Sequence, residues 1–260
     1  MKTIKLKGHI LEMYDGVDNM PAANYINHSR LTMLDAGIGS DLDAVTRHWQ
    51  SLARFFEKGD KAGFNTTMAN YYQTLSFIMS NTSPEMMSFV SLIKSIDGKD
   101  VEDYSDESAK AIIEKLSKGG LTVGIVRRFL DFVKKKVESE LEAYKLNGSM
   151  SIETSMYYQN LKKRTMVVLA GVQGKLTDYE KEVAEIDELI FSMMKPERYA
   201  EKEGALITNF DKNCNALTTH LNIQEPERLP VRRFLGAMQD LKEYLKPSKR
   251  QLNGSHGKNI

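Results

Sequence analysis

Between Thr122 and Leu146 the chain reads TVGIVRRFLDFVKKKVESELEAYKL. Val123, Val126, Leu130, Val133, Val137, Leu141 and Tyr144 recur at steps of three and four, the spacing of one face of an α-helix. Ile125, Phe129 and Phe132 form a second row, wide enough to touch neighbours in two directions. Arg127, Arg128, Lys134, Lys135 and Lys136 occupy what remains of the surface. A helix so long and so broadly apolar predicts the central post of a helical domain. The expected fold class is therefore mainly α, an irregular multi-helix bundle around this long helix, with an N-terminal β-strand.

The strand is expected at Lys2–Ile10. Ile4, Leu6 and Ile10 alternate there with Lys5, Lys7 and His9, and Gly8 takes the remaining inward position. A lone strand leaves backbone donors and acceptors unpaired, so it needs an edge to join. The turn signal Asp97-Gly98, flanked by Leu92–Ile96 and Lys99–Tyr104, offers a partner within the chain; another subunit is the alternative.

Helix signals fill the rest. Pro21 opens a helix that stops at Gly37. Ser40 and Asp43 open one that should turn Leu42, Val45, Trp49, Leu52 and Phe56 inward. Asp60 caps a third, with Phe64, Met68, Tyr71, Leu75 and Ile78 on one face. Ser83-Pro84 and Ser105 begin two shorter ones, and Thr122 caps the post. Asn147-Gly148-Ser149 breaks the post and Ser151 restarts a helix. Gly171 and Gly174 bracket a hinge, and Thr177 with Glu180 forms a capping box. Pro230 opens the last helix. The expected division is residues 1–148, with strand and central helix, a helical part over 149–250, and a polar tail at 251–260.

The formal net charge of +1 gives no global field toward nucleic acid or membrane. Fourteen methionines suit a core or an adaptable contact surface. A single cysteine, Cys214, excludes an internal disulfide framework. His220, six residues on, does not share its helical face, so Cys214 reads as a small buried residue. The N-terminus lacks the apolar run of a signal peptide, and no apolar stretch approaches a membrane span. A soluble protein made in a reducing compartment is expected.

Little chemistry is signalled. No two of His9, His28, His48, His220 and His256 stand three or four apart on an expected helix, and zinc and di-iron spacings are missing. Gly37-Ile38-Gly39-Ser40 lacks the lysine of a phosphate loop, and Asp41 and Asp43 would repel an anion. No nucleophile elbow is present. No enzyme and no cofactor, metal or small-molecule substrate is therefore expected. Asp97–Glu107 holds six carboxylates against one lysine. This is a solvated loop or a complement to a basic face, with Asp100, Glu102 and Asp103 as contact candidates. From Val231 to Ile260 seven Lys/Arg stand against Asp240 and Glu243, with Arg232, Arg233, Lys249 and Arg250 as candidates for an acidic protein face or a phosphate backbone. Base-stacking aromatics are missing from the tail, so a DNA contact has little behind it.

Several strings resemble proteins from the structural modules of tailed phages of Bacteroidetes, the crAss-like group among them. They are Ile10-Leu11-Glu12-Met13-Tyr14-Asp15, Asn19-Met20-Pro21, Leu34-Asp35-Ala36-Gly37-Ile38-Gly39-Ser40-Asp41, Ile96-Asp97-Gly98-Lys99 and Leu229-Pro230-Val231-Arg232-Arg233-Phe234-Leu235. The resemblance implies a virion protein, assembled in the host cytoplasm, such as a ring or connector subunit of the head–tail neck or tail. Its partners would be copies of itself and other virion proteins, the portal or other rings, and it brings no catalytic residues. Ile4, Leu6 and Ile10 on the strand would then serve as arm contacts. A tail-assembly chaperone and a helical DNA-binding or regulatory module are the alternatives.

Overall fold

The computed structural model describes residues 1–80, 83–141, 152–193 and 197–245. The expected break at Asn147–Ser149, the restart at Ser151, and the tail with Lys249 and Arg250 lie outside them. The described residues are mainly helical, with one small sheet.

The sheet is antiparallel, in the order β1 (Lys2–Leu6), β2 (His9–Met13), β3 (Ile93–Ile96) and β4 (Lys99–Asp100). The stretch expected to be one strand is thus two. Gly8, at φ +80, turns the chain, so Leu6 pairs with His9 and Ile4 with Leu11. The turn also resets which residues face inward. Leu11 and Met13 are fully buried, while Ile10 is 51% exposed. The partner comes from within the chain: Leu11 pairs with Ile96, and the Asp97-Gly98 turn, positive in φ at both residues, closes β3 onto β4.

Ten α-helices are described: α1 (Ala22–Gly37), α2 (Leu42–Glu57), α3 (Lys61–Met79), α4 (Pro84–Val90), α5 (Asp106–Lys118), α6 (Val123–Leu141), α7 (Ile152–Val172), α8 (Tyr179–Met193), α9 (Tyr199–Leu221) and α10 (Val231–Tyr244). Side-chain caps fix several starts. Asp41 accepts from the Ala44 amide at 2.8 Å, Asp60 from Gly63 at 2.9 Å and Ser105 from Ser108 at 3.3 Å.

Two compact units result. The first holds the described residues of Met1–Trp49, Asn70–Tyr144 and Tyr199–Ile260. Its core joins Leu11, Met13 and Ile93 of the sheet to Phe89 of α4, Leu116 of α5, and Val126, Phe129, Val133 and Val137 of α6. Phe89 and Phe129 meet edge to face, 5.6 Å between centroids. The expected post is therefore a core helix, though Val123 at its start is 47% exposed. The loop after β2 is tied to α6. Lys136 Nζ lies 3.1 Å from the Asp15 carboxylate, and the Val17 amide donates to Glu140 at 2.8 Å.

The division differs from the cut expected after residue 148, because α9 and α10 return to α1. The Ala22 amide donates to the Leu229 carbonyl at 2.8 Å and Val231 to Met20 at 2.9 Å. Leu217, Phe234 and Leu241 pack with Ala22. The second unit holds Gln50–Ala69 and the described part of Lys145–Arg198. Its core is Val167 of α7 with Ile186 and Ile190 of α8, and Arg164 forks onto Asp187 at 2.5 and 3.2 Å. Only one of the two glycines expected to make a hinge breaks a helix there. Gly174 has φ +68, whereas Gly171 lies inside α7, where a Cβ would sit 2.2 Å from Cγ of Tyr179.

Candidate functional site

The contact candidates read from the sequence have different fates. Ile4 and Leu6 are half-buried and pack against the chain's own core. Arg232 is engaged by Asp18 through two hydrogen bonds, while Arg233 is exposed. The acidic stretch is partly spent on local structure. Asp97 lies 2.7 Å from Nδ1 of His9 and accepts from the Ile10 amide at 2.8 Å, which holds its carboxyl below the usual range. Asp103 accepts from the Ser105 amide and hydroxyl, and Asp106 faces Arg30 at 3.5 Å. Asp100 and Glu102 remain exposed.

A groove of about 530 Å³ opens in the first unit between α1, α4 and α6. Tyr25, Met33, Leu130 and Val137 supply apolar lining; Asp35, Glu85, Asp131 and Glu138 outnumber Lys134. Burial, with the nearby Glu85 charge, raises the Asp35 carboxyl. On the same wall His28 Nδ1 is hydrogen-bonded to the Ser88 hydroxyl at 2.7 Å, and burial lowers its pKa to about 4. A Ser–His pair invites a nucleophile reading. However, Ser88 is only 1% exposed, so its oxygen has no route to a substrate carbonyl. The pair satisfies two buried polar groups.

A larger surface feature is apolar. The face of α2 expected to be buried is split: Leu52 is buried and Val45 half-buried, but Leu42 is 77%, Trp49 63% and Phe56 77% exposed. Besides Leu52, the helix turns Ala44, His48 and Phe55 inward. In α3 the expected face, Phe64, Met68, Tyr71, Leu75 and Ile78, is half-buried beside the buried polar Thr67, Asn70 and Thr74, and Tyr72 and Met79 stand out at 63% and 85%. The buried polar side chains have a local partner. His48 Nε2 at 3.0 Å and Thr74 Oγ1 at 3.1 Å both donate to the carbonyl of Ile38, at the end of α1. Those two bonds hold a polar side chain of each helix against the end of α1. Trp49 stacks obliquely on Tyr71 with centroids 6.1 Å apart, and Tyr71 meets Tyr72 at the same distance.

Among the described residues no cluster of His, Cys, Asp or Glu side chains is suited to a metal ion, and no helix is long and apolar enough to cross a membrane. Burial and two neighbouring carboxylates push the Cys214 thiol up to about 11, leaving it protonated and a poor nucleophile. No family model, curated protein or solved structure matches this chain. The apolar surface did leave a sequence signal: no Asp, Glu, Lys or Arg stands between Lys61 and Glu85. The groove left none, since its walls lie up to 113 positions apart, from Tyr25 to Glu138.

Proposed function

We propose that this chain is a non-enzymatic structural subunit of a tailed-phage virion, a ring or connector component of the head–tail neck or tail. The setting comes from the sequence resemblance. The observation that supports an assembling role is the set of large apolar side chains left in solvent on α2 and α3, Met79 at 85% exposure among them. Clusters of exposed large apolar side chains on a protein surface often mark a site of interaction with a partner. Mass spectrometry of purified particles, combined with negative-stain imaging of the isolated chain, tests the reading. The chain should be a stoichiometric particle component and form closed rings, alone or on a partner ring. If it is missing from particles, the virion role fails.

The groove between α1, α4 and α6 favours a second reading, a transient tail-assembly chaperone. A lining of apolar side chains with four carboxylates against one lysine fits an extended basic segment of a client. That role predicts a small oligomer that binds an unfolded tail protein and leaves before the particle matures.

A further inference from the structure

We infer that the exposed apolar row on α2 and α3 of the first unit is a self-association seam. Leu42 and Trp49, with Tyr72 and Met79 and the half-buried Val45 beside them, dock against the same residues of a second copy of this chain. The inference rests on the reading that the chain assembles, and not on the phage setting.

Composition comes first. Between Lys61 and Glu85 there is no formal charge, in a chain of which 27% of residues are charged. Ordinary solvated helices in this protein do not look like that: α5 and α6 carry acids and bases along their exposed sides. Loss of charge with gain of Tyr and Met, as on α3, marks the dry centre of a protein–protein interface. It does not fit a membrane-surface helix, whose polar face is rich in Lys and Arg.

Spacing says what kind of partner fits. The exposed positions Leu42 and Trp49 on α2, and Tyr72 and Met79 on α3, each stand seven residues apart. This is the repeat of helices that pack lengthwise on other helices at a shallow angle.

Charge and area then select the second copy. A row without charges can face itself across a two-fold axis with no like-charge repulsion, and it offers no electrostatic gain to an acidic or basic partner. Large side chains of this kind present ~150–250 Å² each when fully exposed. At 63% to 85% exposure, Leu42, Trp49, Tyr72 and Met79 together present on the order of 500–700 Å², near the ~800 Å² per partner of a standard interface.

The test is sedimentation velocity of the full chain over a concentration series, with Tyr72→Lys, Met79→Lys and the remote control Val172→Lys. Val172 lies on α7 and is 73% exposed. Circular dichroism checks that each variant keeps its helices. The wild type and the control should self-associate equally, and each seam variant should dissociate at least tenfold more readily. Trp49 is the single tryptophan. Its emission should move to shorter wavelength as the wild type assembles, and stay put in Tyr72→Lys. A wild type that remains monomeric overturns the inference, as does assembly unchanged by both seam variants. The same is true of a monomer that takes up a helical neighbour from its genome instead. Virions that incorporate Tyr72→Lys normally would sink the seam and leave the virion role standing. A seam that behaves as stated in a chain missing from virions would do the reverse.

Discussion

His28 shows how a single buried group ties stability to pH. Its imidazole shares a hydrogen bond with Ser88, and burial lowers its pKa from 6.5 to about 4. The folded protein therefore resists protonation that the unfolded chain accepts. Between pH 6.5 and 4 the unfolded state binds more protons, so stability is fully present above 6.5 and falls as pH drops through that window. The loss should approach about 3 kcal/mol by pH 4, on top of any carboxylate contribution. Urea titrations at pH 7 and pH 5 measure it, and His28→Gln should flatten the slope between them. A slope unchanged in the variant would place the pH dependence elsewhere. Nothing in the sequence marked this residue, because Ser88 is sixty positions away and neither side chain belongs to a short motif. By contrast, caps such as Asp60 and Ser105 were legible, since a cap is decided within four residues.

At the scale of elements, the legible parts were those set by local backbone chemistry. Asp97-Gly98 marked a turn and supplied β3 to β2. Gly8 was misplaced because alternation alone does not distinguish an inward glycine from a turn with φ +80. The correction changes what an N-terminal deletion should do. With Lys2–Ile10 as a detached arm, removing Met1–Gly8 would leave the fold intact and weaken assembly. In the structure β1 pairs with β2 along its length, and Ile4 and Leu6 lie against the core. The deletion should therefore cost about 2–4 kcal/mol from lost burial and ladder bonds. At ~2–4 °C per kcal/mol for a chain of this size, thermal melting should show a clear drop. An unshifted melt with weaker self-association would restore the arm. The face of α2 was only partly legible, for another reason: Leu52 is buried but Leu42, Trp49 and Phe56 are exposed. Periodicity locates an apolar stripe but assumes that it points to the chain's own core. Here His48 of α2 and Thr74 of α3 are also buried, both bonded to the Ile38 carbonyl, and leave part of the apolar surface outside.

At the scale of the whole molecule two kinds of contact compete to drive assembly, and salt separates them. One is ionic, an acidic face around Asp100 and Glu102 against exposed cations such as Arg233. The other is the charge-free row on α2 and α3. The overall charge of +1 gives neither a long-range field to work with, so only short-range contacts matter. Raising ionic strength from 0.1 M to 1 M shortens the screening length from about 10 Å to about 3 Å and weakens exposed ion pairs. It leaves apolar association unchanged, and salting-out anions such as sulfate strengthen it. Several carboxylates of the acidic stretch are already engaged at home, Asp97 by His9 and Asp106 by Arg30. Fewer charges are then left to reward an ionic neighbour, and exposed pairs of this kind contribute ~0–1 kcal/mol each. Self-association followed by light scattering should thus hold steady in sodium chloride and increase in sodium sulfate. Dissociation on adding sodium chloride would return the weight to the charged loops, and the subunit contact would have to be sought at Asp100 and Arg233.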